Sequence, residues 1–87
     1  MYTLALSPKF ERILKNLKHQ KPDVLRELER VIRKVLADPT RGKPLRNVLK
    51  NFRRVHVLGS LVLVYEIHGL EVRLLDFDHH NKVYKIR

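Results

Sequence analysis

Apolar positions in the first half of the chain recur at helical spacing. Phe10, Ile13, Leu14 and Leu17 form one stripe, and Val24, Leu25, Leu28, Val31, Ile32, Val35 and Leu36 form a second, broader one over about four turns. Ser7 ahead of Pro8 can cap the first helix, since proline at the first helical position gives up a hydrogen bond the helix would not make. The polar stretch His19-Gln20-Lys21 separates the two stripes, Pro22-Asp23 restarts the chain, and Asp38-Pro39 stops it. The pattern predicts a helical hairpin, preceded by a short strand over Thr3–Leu6. Glu29 and Arg33 stand at i,i+4 in the favourable orientation for an ion pair on the second helix.

Beyond the connection Thr40–Pro44 the period changes from helical to alternating. Leu45, Val48 and Leu49 fit a helical turn or the lead into a strand equally well. From Phe52 to Leu58, Arg53, Val55 and Val57 fall on one face and Phe52, Arg54 and His56 on the other. Gly59-Ser60 signals a tight turn. The run Leu61-Val62-Leu63-Val64-Tyr65-Glu66-Ile67 is apolar almost throughout, as a central strand buried on both faces requires. His68-Gly69 turns the chain again and Val72–Phe77 reads as another strand. The tail Lys82-Val83-Tyr84-Lys85-Ile86 alternates and is expected to add an edge strand. The order is β-α-α-β-β-β with a further C-terminal strand. It predicts an α+β domain in two layers, the helical hairpin lying on one face of a mostly antiparallel twisted sheet. If Val55 and Val57 face the helices, Arg54 and His56 project from the opposite, open face.

Eighty-seven residues allow one domain spanning 1–87. No apolar run approaches the roughly 20 residues of a membrane helix, and the N-terminus lacks the charge and length of a signal peptide. The absence of cysteine excludes disulfides, thiolate metal sites and cysteine nucleophiles. A cytoplasmic protein without membrane partners is expected. Charge adds more: 19 Lys and Arg against nine Asp and Glu give a net charge of +10. Residues 41–54 hold six basic side chains, Arg41, Lys43, Arg46, Lys50, Arg53 and Arg54, and no acidic one. A basic block this concentrated on a small domain points to a polyanion, nucleic acid first.

Phosphate loops, nucleophile elbows, HExxH and EF-hand signatures are absent. Asp76-Phe77-Asp78-His79-His80 contains metal-ligand types, yet neighbours in a strand point to opposite faces. Only Asp78 and His80 could share an ion, and neither a metal site nor a cofactor is expected. Asp76 and Asp78 read instead as turn residues or ion-pair partners of the basic block. His56, His79, His80, Arg53, Arg54, Lys82 and Tyr84 remain as candidates near strand ends, and such residue types suit metal-free RNA cleavage. In that reaction a ribose 2′-hydroxyl attacks the adjacent phosphorus and the 5′-oxygen leaves. Histidine can move both protons near neutral pH, Arg and Lys can stabilise phosphoryl charge, and an aromatic ring can stack on a base. An extended tail would put His80, Lys82 and Tyr84 on one face. Tyr65, inside the apolar run, reads as a core aromatic.

Taken together, Pro8-Lys9-Phe10, Asp38-Pro39, Gly42-Lys43-Pro44-Leu45, Phe52-Arg53-Arg54-Val55-His56-Val57, Leu63-Val64-Tyr65 and His80-x-x-x-Tyr84 resemble the RelE/ParE superfamily of type II toxin–antitoxin toxins, in order and spacing along nearly the whole chain. The resemblance implies the fold derived above and a metal-independent toxin that cleaves mRNA on the ribosome. It also implies a cognate antitoxin, expected to be acidic and amphipathic. His56, His80 and Tyr84 match the site positions of the YafQ-like branch. The resemblance thus implies His80 and His56 as proton-transfer residues, Arg54 as the phosphate-stabilising group and Tyr84 as the base-stacking one. Lys50, Arg53, Lys82 and Arg46 are the RNA-binding candidates. Two positions depart from the RelE-like pattern: Val62 stands where an arginine is frequent, and Asp78 stands where a basic residue is found. The phosphate-stabilising arginine is therefore absent or supplied from elsewhere, Arg54 being the candidate. A ParE-like branch inhibits DNA gyrase without a nuclease site, and Val62 is compatible with it. A toxin reduced to binding its antitoxin is the third alternative.

Overall fold

The computed structural model describes residues 1–44 and 51–83. Its elements are β1 (Thr3–Leu6), α1 (Pro8–Gln20), α2 (Pro22–Ala37), a 3-10 turn (Pro39–Arg41), β2 (Lys43–Pro44), β3 (Phe52–Val57), β4 (Leu61–His68), β5 (Glu71–His79) and α3 (His80–Val83). The expected helical hairpin is present with its punctuation. The Ser7 hydroxyl accepts the Phe10 N–H at 3.1 Å, Pro8 opens α1, and Pro22 opens α2. On α2 the ion pairs are Asp23–Arg26 and Glu27–Arg30, at i,i+3, in place of the expected Glu29–Arg33.

Five strands form one sheet in the order β1-β5-β4-β3-β2, parallel between β1 and β5 and antiparallel elsewhere. β1 and β2 lie at opposite edges, so the two helices carry the chain across the whole width of one face. That face holds the main core: Phe10, Leu28 and Val35 from the helices pack with Leu63, Tyr65 and Leu74 from the strands. On the other face Val62 and Val64 make a smaller cluster with Phe52 and Leu75. β4 is therefore the central strand buried on both sides that its unbroken apolar run implies, with Val62, Leu63, Val64 and Tyr65 all 2% exposed or less.

Two features were not evident from the alternation. β5 carries a bulge: Tyr65 pairs with Leu74 and Val64 with Asp76, which leaves Leu75 as an extra residue. Strict alternation from Val72 would turn Phe77 to the open face, whereas the bulge resets the phase and Phe77 joins the helix-side core. The expected C-terminal strand is the second: His80–Val83 form a helical turn, and residues 84–86 lie outside the described residues. The β4–β5 ladder ends at Leu61 and His79, beside the β3–β4 turn, and there the His80 N–H donates to Ser60 O at 2.9 Å. The tail begins as a turn because the ladder has no further residue to offer it. The lead-in at Leu45, Val48 and Leu49 also lies outside the described residues.

Candidate nucleic-acid interface

β3 positions the first part of the site. Its alternation places Val55 and Val57 with the helix-side core and Arg54 and His56 on the open face, as their sequence spacing implied. The register extends two rows across the sheet. One runs Lys43, Arg54, Val64, Asp76 and the other His56, Val62, Asp78. Val62 and Val64 form a dry floor under these polar positions.

α3 supplies the second part. Because the chain leaving β5 winds into a helical turn fastened to Ser60, His80 comes over β3 and its ring stacks on that of His56. The centroids are 6.0 Å apart and the planes 21° from parallel. Residues 24 positions apart are thus joined at one corner of the open face, with Arg54 two residues along the same strand face. Stacked imidazoles do not direct their lone pairs at a common point. Among the described residues no group of three or more His, Cys, Asp or Glu side chains could hold a metal ion.

Other expected site residues fall elsewhere. Lys82 is exposed on α3, and at about 100° per residue it does not share a face with His80, which corrects the grouping drawn from an extended tail. Arg53 lies on the helix side of the sheet, where its Nη1 donates to Gly42 O at 2.7 Å and Thr40 O at 3.2 Å. Tyr84, Lys50 and Arg46 lie outside the described residues. Among the described residues the ion pair found for Asp76 is with α1: buried to 4% exposure, it accepts the Phe77 N–H at 2.8 Å and meets Lys9 Nζ at 3.2 Å. Asp78 accepts the His79 N–H at 2.7 Å. Lys43 was counted in the basic block without a role, and only its pairing with Arg54 brings it to the site face.

Tyr65 is buried among core residues, yet its hydroxyl donates to Pro39 O at 2.6 Å and accepts the Gly42 N–H at 3.1 Å. Burial pushes its phenol above the ordinary value. The Gly42 N–H and the nearby charges of Arg53 and Arg41 pull the other way, and the net shift is upward. Arg73, also on the open face, meets Glu71 at 2.6 Å and Glu66 at 3.9 Å. A groove of about 380 Å³ between α1 and α2, floored by Leu6, Leu14 and Leu25, lies on the helix layer.

Residues 4–84 match the family described as the ParE toxin of the type II toxin–antitoxin system, parDE. The chain belongs to this toxin family. A Methanocaldococcus jannaschii protein bearing the toxin name RelE4 is 32% identical over 87 residues, covering 98% of this chain and 93% of its own. Among solved structures, the RelBE2 toxin–antitoxin complex of Mycobacterium tuberculosis is similar at a TM-score of 0.75 and 28% identity, covering 91% of this chain and 98% of that one. The YoeB/ParE toxin of Agrobacterium tumefaciens is similar at a TM-score of 0.80 over 90% of this chain and 98% of its own, and at 13% identity it shares the fold. The chain is a type II toxin of the RelE/ParE superfamily, and its helical-hairpin α+β architecture is the one these structures share. No helix among the described residues is long and apolar enough to cross a membrane.

Proposed function

We propose that this toxin is a metal-independent endoribonuclease that cleaves mRNA on the ribosome, in the cytoplasm. The observation that carries the reading is the stacked His56–His80 pair beside Arg54, at a corner of the open face floored by Val62 and Val64. The 2′-hydroxyl attacks the adjacent phosphorus and the bond to the 5′-oxygen breaks. His80 moves one of the two protons concerned and His56 the other, or holds the phosphate. The Arg54 guanidinium neutralises charge growing on the phosphoryl oxygens, the work that an arginine at Val62 would otherwise do. Tyr84 stacks on the base, and Lys50, Lys82 and Arg46 bind the flanking backbone. The partner that silences it is an acidic antitoxin, in keeping with the toxin–antitoxin complex of the Mycobacterium tuberculosis relative.

Primer extension on a defined mRNA in a translating extract tests this. New 5′ ends that depend on translation, and that disappear with His80→Ala and diminish with His56→Ala, are expected. A second reading, inhibition of DNA gyrase by binding, is favoured by the match to the ParE description and by Val62. Intact transcripts together with DNA damage in toxin-expressing cells would establish it in place of the first.

A further inference from the structure

Among the described residues β2 pairs with β3 through Lys43–Arg54 and Pro44–Arg53. The loop that leads into it is tied down at several points. The Tyr65 hydroxyl bridges Pro39 O and the Gly42 N–H, and Arg53 grips Thr40 O and Gly42 O from β3. Pro39 and Gly42 are buried. At Gly42 the chain runs so close that a Cβ would lie 2.4 Å from Tyr65 Oη and 2.9 Å from the carbonyl oxygen of Arg54 itself. The loop is wedged against the backbone of the strand that presents Arg54 and His56. The next residue along, Lys43, is thereby set opposite Arg54 on the open face.

We infer that Lys43 belongs to the phosphate-binding surface beside Arg54, and that Tyr65 and Arg53 are positioning residues that hold it there. The inference rests on the ribonuclease reading and assigns Arg53 a role through the loop, since its guanidinium is committed to two carbonyls on the other side of the sheet. A lysine and an arginine on paired positions can neutralise neighbouring phosphate oxygens of one strand, Lys as a point charge and Arg as a fork. Tyr65→Phe removes one hydroxyl and leaves the Gly42 N–H and the Pro39 carbonyl without their partner, which frees the entry to β2.

Single-turnover cleavage of mRNA on programmed ribosomes, at subsaturating toxin, tests this with double-mutant cycles. Lys43→Ala is expected to slow cleavage about tenfold, the loss of one charge-assisted contact, and Lys43→Arg to retain most of the rate. Tyr65→Phe and Arg53→Ala are expected to slow the wild-type background several-fold and to change the Lys43→Ala background less than about twofold. A merely structural loss would act equally in both backgrounds, and that result overturns the positioning role. An unchanged rate for Lys43→Ala overturns the binding role. Arg53→Ala carries the cycle if Tyr65→Phe does not fold, because Arg53 is part of no core cluster. A wild-type toxin that leaves the mRNA whole overturns the ribonuclease reading and this inference with it, whereas cleavage by the wild type with additive variants overturns this inference alone.

Discussion

Gly42 has φ −74° and ψ 156°, a conformation open to any residue, so its lack of a side chain is required by packing alone. Gly42→Ala forces either the Tyr65 hydroxyl or the Arg54 backbone to move. A loss of about 1–3 kcal/mol is expected, read as a lower urea midpoint with an unchanged slope. Tyr65 makes a second prediction. Its phenol is held above the ordinary value of about 10, so the folded state keeps the proton more tightly than the unfolded chain does. The stability linked to this group is complete below about pH 10 and is lost as pH rises through the raised value. The thermal midpoint should fall more steeply above pH 10 in the wild type than in Tyr65→Phe, and parallel declines would contradict the assignment. At this scale the sequence identified Tyr65 as a core aromatic. It did not reveal the hydroxyl's task, because the partners lie 23 and 26 residues away in the chain.

Among the elements, α1, α2 and β3 were legible because each carries its own period and its own stops. Ser7, Pro8, Pro22 and Asp38 act within a turn of themselves, and the Arg53–Val57 alternation sorts its faces without outside help. β5 was legible as a strand but not in phase, since a bulge depends on which residues the neighbouring strand offers. Deletion of Leu75 leaves Leu74 on the core side, Asp76 away from it and Phe77 on the core side again. It is therefore expected to keep a cooperative thermal transition, at the cost of the Leu75 packing and the Ser7 hydroxyl contact to its carbonyl. Deletion of Val64 from β4 inverts the residues on one side of the cut and is expected to abolish the transition. Equal outcomes for the two deletions would show that the bulge does not set the phase. The tail alternates like a strand and yet begins as α3, since an alternating pattern makes a strand only where a ladder is available to receive it.

At the scale of the whole molecule the two faces of the sheet differ. The helix layer closes one, and the other carries Lys43, Arg54, His56 and His80 toward its β3 corner and the Arg73–Glu66–Glu71 cluster toward the other end of β5. The charge of +10 is thus not spread evenly. Binding to single-stranded RNA is expected to weaken linearly in log salt, with a slope of about −0.7 per phosphate neutralised, and Lys43→Ala should lower that slope by roughly one contact. An affinity indifferent to salt would place it in burial instead.

Local periodicity and punctuation determined the helical hairpin, the central apolar strand, the faces of β3 and the excess of positive charge, because each depends on residues within a few positions of one another. The tertiary structure alone decided the parallel entry of β1 beside β5, the bulge at Leu75, the stacking of His80 on His56, and the clamp from Tyr65 and Arg53 onto the Pro39–Gly42 loop. Each of these joins groups distant in the chain through pairing, register and burial, and such relations exist only once the sheet has formed.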